Sequence, residues 1–125
     1  MRLCAVSVDL DEIPNYFAIH GLPAPSGRGA TAVYDVALDR LDAFSRAHGV
    51  PLTLFAVGAD LARAESAAGL SAMAERGHEV ANHSLDHLYD LTRRKRAEFE
   101  GQIDEGNAAI ERAARDKPTG YRAPC

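Results

Sequence analysis

His78-Glu79-Val80-Ala81-Asn82-His83-Ser84-Leu85-Asp86-His87 joins a short apolar run to two histidines four residues apart. Glu79 to Ala81 reads as a short buried strand following Gly77, which places Asn82 and His83 at its carboxyl end and His87 a turn later. Residues four apart share one helical face, so both imidazoles can point at a common ion. A carboxylate leaving the end of a neighbouring buried strand would complete a three-ligand set with an open position, the arrangement of hydrolytic zinc and related sites. The plainer alternative is an exposed pair of solvated rings, since short motifs recur by chance.

The first apolar run, Leu3 to Val8, supplies the acids: it has β-branched members and ends in Asp9-Leu10-Asp11, as a buried parallel strand with carboxylates at its carboxyl end would. Leu52 to Val57 reads as a further buried strand ending at Gly58, and Gly120 to Cys125 as a candidate fourth strand end carrying Arg122. Between these lie helical patterns. Val36, Leu38, Leu41 and Phe44 recur at helical spacing from about Val33 to His48, with Gly49 and Pro51 as a stop. The alanine-rich region Leu61 to Arg76 reads as a helix broken near Gly69 and ended by Gly77. Thr92 to Ala114 reads as a long helix with Phe99, Ile103 and Ile110 inward, interrupted by Gly101 and Gly106. Ile13 to Thr31, with Pro14, Pro23, Pro25 and three glycines, is expected to be a long loop over the strand ends. Its Tyr16, Phe17, Ile19 and His20 either meet a ligand or anchor the loop.

Alternating strands and helices predict an α/β fold of parallel strands with right-handed crossovers, whose functional groups collect at the carboxyl ends of the strands. Asp9, Asp11, His83, His87 and Arg122 all fall there. The length, 125 residues, is that of one domain. A net charge of −4 without a long basic run argues against nucleic-acid binding. The one basic cluster, Arg93-Arg94-Lys95-Arg96, precedes Glu98 and Glu100 and reads as a solvated helix face. No stretch approaches the roughly 20 apolar residues of a membrane helix. Cys4 and Cys125 form no disulfide framework, and Asp9 and Asp11 interrupt any signal-peptide core, so a cytoplasmic location is expected. Cys4 itself is expected to be a small core residue, and His20, His48 and His78 structural or surface groups.

With Tyr121-Arg122-Ala123-Pro124-Cys125 added, the chain resembles the NodB-type polysaccharide deacetylase superfamily, carbohydrate esterase family 4. Three motifs carry the likeness in order: the acid pair, His83-Ser84-Leu85-Asp86-His87 with its approach Gly77-His78-Glu79-Val80-Ala81-Asn82, and an Arg-x-Pro-Tyr sequence in which Cys125 stands for tyrosine. Asp-Leu-Asp in place of adjacent aspartates resembles the cytoplasmic branch, which acts on non-polymer substrates. The resemblance implies the amino-terminal portion of a distorted (β/α) barrel. It implies that Asp11, His83 and His87 hold a divalent metal, with zinc first and cobalt, nickel or iron also suited to the donor set. It further implies that Asp9 is the general base, that Arg122 orients Asp9, and that the backbone N–H of Cys125 donates to an oxyanion. Asn82 and Ser84 would steady the histidines through their second ring nitrogens.

The implied activity is metal-dependent hydrolysis of a non-peptide carbon–nitrogen bond, the N-deacylation of an acylated amino sugar or a related small amide. The partner is then a small-molecule or carbohydrate substrate, with homo-oligomerisation left open. The family's later motifs, which carry its general acid, are not in this sequence, so residues 1–125 are expected to be a partial domain with too few βα units to close a barrel. Two other readings stand beside this one. A haloacid-dehalogenase-like phosphatase also opens on an apolar strand ending Asp-x-Asp, but leaves His83 and His87 without a task. The other is an inactive fragment that binds a metal or a partner.

Overall fold

A computed structural model describes residues 2–124. Val6–Asp9 (β1), Leu52–Ala56 (β2) and Glu79–Asn82 (β3) form one parallel sheet in the order β1-β2-β3. The pairings Asp9 with Phe55 and Ala56 with Asn82 bring the three carboxyl ends to one rim of the sheet. Gly120–Arg122 extends the sheet beyond β3 by a single bridge, in which Asn82 N–H donates to Gly120 O and Arg122 N–H to Asn82 O, each at 2.9 Å. This is the fourth strand end foreseen, as a bridge rather than a strand.

Among the described residues there are four α-helices: Ile13–Ile19 (α1), Leu38–His48 (α2), Ala64–Glu75 (α3) and Arg96–Ala114 (α4). The core is formed by Leu10, Leu54, Leu70 and Ile110, all fully buried, with Leu52, Met73 and Tyr34 around them. Several expectations are corrected. The segment after Asp11 is not all loop, because α1 forms and Pro14 sits in its first turn, where no N–H is required. Gly69 does not break α3. It serves packing, since a Cβ there would lie 3.0 Å from Leu38 Cδ2. Neither Gly101 nor Gly106 interrupts α4, which starts at Arg96 rather than Thr92 after a 3-10 turn at Leu91–Arg93. Its first turn is closed by Glu98, whose Oε2 accepts from Lys95 N–H at 3.1 Å.

The buried side of α2 is also different from the apolar count. Leu38, Asp42 and Ser45 face inward while Phe44 and Val36 are exposed. Positions 38, 42 and 45 share one helical stripe and 44 falls off it. The two polar members are tolerated because Asp42 pairs with Arg46 and Arg76, and Ser45 Oγ donates to Val50 O at 2.7 Å. Phe99 likewise faces solvent on α4, and Cys4 is exposed, since pairing begins only at Val6. His78 is structural as expected: its Nδ1 accepts from Leu52 N–H at 3.2 Å.

Gly106 ties the fold to the rim. A Cβ there would lie 2.7 Å from Asn82 Oδ1 and 3.1 Å from the carbonyl carbon of Ser84. Helix propensity favours alanine over glycine by about 1 kcal/mol, whereas overpacking against backbone costs about 1–3 kcal/mol. Gly106→Ala is therefore expected to destabilise the chain by roughly 1–2 kcal/mol, read from denaturant midpoints at constant m value. A stabilised variant would show that the rim yields freely.

Candidate metal centre

Asp9 closes β1, and Leu10 N–H still pairs with Phe55 O at 2.9 Å, so the chain stays extended through the acids. Residues two apart in an extended run share a side, and Asp9 and Asp11 both turn toward the histidines. The histidine segment is not helical, which corrects the expectation of one helical face. After β3 the chain is a loop in which Ser84 and His87 have φ of 72° and 53°. Such left-handed backbone at non-glycine residues costs energy and persists where the surroundings enforce it. Here they do. His83 N–H donates to Ala56 O at 2.9 Å, and Gly58 and Ala59 N–H donate to Ser84 O and Leu85 O at 3.0 and 2.8 Å.

Asn82 and Ser84 brace this loop through its backbone rather than through the imidazoles, another correction. Asn82 Oδ1 accepts from Ser84 N–H, and its Nδ2 donates to Ile103 O and Asn107 Oδ1. Ser84 Oγ accepts from His87 N–H at 3.1 Å.

Asp11, His83 and His87 are all buried, with one ligand atom from each within 4.8 Å of the others. His83 Nε2 stands 3.3 Å from Asp11 Oδ1, and His87 Nε2 stands 3.2 Å from Asp11 Oδ2. The second nitrogen of His83 decides what can lie between them. Nδ1 is 2.8 Å from Arg122 O, a carbonyl that can only accept, so Nδ1 carries a proton and Nε2 is directed at the Asp11 carboxylate. Two acceptors at that distance require a cation between them, a second proton or a metal ion. Asp11 Oδ1 is buried and accepts no hydrogen bond, which leaves it available as a ligand. The donor set of one carboxylate and two imidazoles fits a divalent ion with an open position.

Asp9 lies outside that triad. Its Oδ2 is 4.0 Å from His83 Nε2, while Oδ1 accepts from Arg122 Nη1 at 2.5 Å. Arg122 is held in turn by Ser7 Oγ at 2.7 Å and by the face of Phe55, 4.0 Å from the ring centroid. The sequence thus paired Arg122 with Asp9 correctly but missed that the carbonyl of the same residue orients His83. Cys125, expected to offer its N–H, lies outside the described residues.

Three further groups matter here, of which the sequence singled out only Tyr16, as a ligand contact or a loop anchor. Glu12 is buried and caps the turn that leads into α2, its oxygens accepting from Val33 and Tyr34 N–H at 3.1 and 3.0 Å. Tyr16 donates to Asp11 Oδ2 at 3.3 Å. Asp60 follows the end of β2 in a 3-10 turn, Gly58–Ala62, and its place just past a strand end was the signal that could have flagged it.

Burial pushes the Asp11 carboxyl up, but the hydrogen bond and charge of His87, joined by His83 and Tyr16, outweigh it and hold it below the usual carboxylate range. Asp60 goes the other way. Burial, with the charges of Glu12 and Asp11, raises it to about 6, against a backbone hydrogen bond from Glu12 and the influence of His87. A carboxyl raised in the folded state contributes stability that is complete below its unfolded value near 3.8 and is lost as pH rises through about 6. Asp60→Asn keeps an acceptor and removes the charge. It is expected to raise metal-free stability at pH 8 by on the order of 2 kcal/mol, with the gain gone at pH 4, in thermal unfolding at both pH values. Equal differences at both would refute the electrostatic cause.

The chain matches the family model described as polysaccharide deacetylase over residues 29–125. Solved structures agree in fold. A putative polysaccharide deacetylase from Mycobacterium smegmatis is 26% identical with a TM-score of 0.72, covering 96% of this chain and 42% of that one. A structure titled T48 deacetylase with substrate is 23% identical with a TM-score of 0.67, covering 96% and 48%. The peptidoglycan deacetylase of Bacillus subtilis is 22% identical with a TM-score of 0.69, again covering 96% and 48%. The chain therefore spans about half the length of these proteins, and its open sheet corresponds to the amino-terminal portion of their (β/α) barrel. No curated protein matches it by sequence. The phosphatase alternative leaves unexplained two buried imidazoles aimed at Asp11 and is set aside. With the motifs, the rim geometry and the match over most of its length in agreement, the chain belongs to the polysaccharide deacetylase family.

Proposed function

We propose that this chain carries the metal-binding and base-bearing part of a hydrolase that removes an acyl group from the nitrogen of an acylated amino sugar or a related small amide. The observation that carries the proposal is the convergence of His83 Nε2 and His87 Nε2 on the buried Asp11 carboxylate, with Asp9 held apart by Arg122. When bound, a divalent ion, zinc first, would polarise the acyl carbonyl and acidify a water. Asp11, His83 and His87 would hold it. Asp9 is then placed to take the proton from the attacking water, and Arg122 holds Asp9 in position through its hydrogen bond to Oδ1. Cytoplasmic location remains part of the proposal, supported by the free, exposed Cys4.

The test is release of acetate or formate from N-acylated amino sugars by the purified protein, with and without added zinc or cobalt after chelation. Metal-restored release supports the reading. Release that is indifferent to chelation overturns it. Ring opening of cyclic imides, run alongside, distinguishes amide substrates of other shapes.

A further inference from the structure

Asp11 has two oxygens in unlike surroundings. Oδ1 is buried, accepts no hydrogen bond and faces His83 Nε2 at 3.3 Å. Oδ2 accepts from the phenol of Tyr16 at 3.3 Å and lies 3.2 Å from His87 Nε2. Tyr16 belongs to α1, which begins two residues after Asp11, and Glu12 between them is buried and locked onto the backbone of Val33 and Tyr34. The helix is thereby anchored at its start, and the Tyr16 hydroxyl is delivered to Oδ2 from a fixed direction. The rest of the ring remains half-exposed, beside the exposed Ile19 on the same helix.

We propose that Tyr16 is a positioning residue for the metal centre: its hydroxyl holds the Asp11 carboxylate in the orientation that turns Oδ1 toward His83 and Oδ2 toward His87. A carboxylate without that partner can swing about its side-chain bonds and lose its alignment with the two imidazoles. A hydrogen bond to one oxygen opposes that swing, as partners of metal-binding carboxylates commonly do. This rests on the metal reading above. The purely structural alternative, in which Tyr16 only pins α1 to the rim, predicts no change at the ion.

The experiment measures zinc dissociation constants by chelator competition, and the visible spectrum of the cobalt form, for wild type, Tyr16→Phe, Ile19→Ala and His83→Ala. Loss of the hydroxyl is expected to weaken zinc binding by about 10-fold and to shift the cobalt bands, with the metal-free unfolding midpoint close to wild type. Ile19→Ala, exposed on the same helix and remote from Asp11 in the hydrogen-bond pattern, should bind as wild type does. Wild-type affinity and spectrum in Tyr16→Phe, while His83→Ala fails to bind, overturn the role of Tyr16 and leave the metal centre standing. Equal weakening in Ile19→Ala also overturns it, because the cause is then disturbance of α1. Absence of zinc binding in wild type overturns the metal reading and this inference together.

Discussion

Replacing His83 with alanine is expected to abolish metal-dependent stabilisation of the chain. For the wild type, an ion at a hundred times its dissociation constant should add about 2.7 kcal/mol to the unfolding free energy. His83→Ala removes one of three ligands, so affinity should fall by more than about 100-fold, beyond what loss of an outer partner costs, and the increment at the same metal concentration should shrink to nearly nothing. The metal-free variant will also be weaker, because His83 is 2% exposed and its loss leaves the Arg122 carbonyl without the Nδ1–H donor. The difference between midpoints with and without metal, rather than either midpoint, is therefore the quantity to read. An unchanged increment in His83→Ala would place any bound ion elsewhere. His87→Ala should behave in the same way, since its Nε2 faces the same carboxylate.

Asp9→Asn is expected to separate metal binding from turnover. The substitution keeps the shape and an acceptor for Arg122 but removes the charge that would take a proton from water. Asp9 Oδ2 is 4.0 Å from His83 Nε2, against 3.3 Å for Asp11 Oδ1, and Asp9 is the more exposed of the two acids, so it stands beside the ligand set rather than within it. Zinc affinity should change only a few-fold while the rate of deacylation falls by about 10²- to 10⁴-fold, the usual contribution of a positioned base. A kcat within tenfold of wild type would show that the proton goes elsewhere. Loss of zinc together with activity would make Asp9 a ligand. The Arg122 pair itself should contribute little to stability, because both side chains are about one-third exposed and partly solvated.

The parallel strands and the residues at their carboxyl ends could be read from the chain because both depend on local pattern. Short apolar runs closed by Asp9, Gly58 and His83 announce strands, of which β2 is buried and β1 only partly so, and in a parallel sheet those ends share one rim. Less legible were features whose cause is contact between distant segments. The glycine at 106 looked like a weak point of a helix, and it is the place where α4 meets the Asn82–Ser84 backbone. Asp42 and Ser45 form no part of the apolar spacing of α2, yet both are buried, with Asp42 Oδ2 paired to Arg46 and Arg76 and Ser45 donating to the Val50 carbonyl.

The histidine pair shows the same division at the centre itself. Spacing indicated that His83 and His87 could meet, and the family resemblance named the acids and the arginine that accompany them. It supplied the wrong local geometry, a helical face, because the hydrogen bonds that impose left-handed backbone at Ser84 and His87 come from Asn82 and from the end of β2. Which nitrogen of His83 is protonated, which oxygen of Asp11 is free, and which tyrosine holds the other were decided only in three dimensions. Each depends on one donor or acceptor brought from a separate element to within about 3 Å, a distance over which hydrogen bonds form or fail and on which no periodicity in the chain reports.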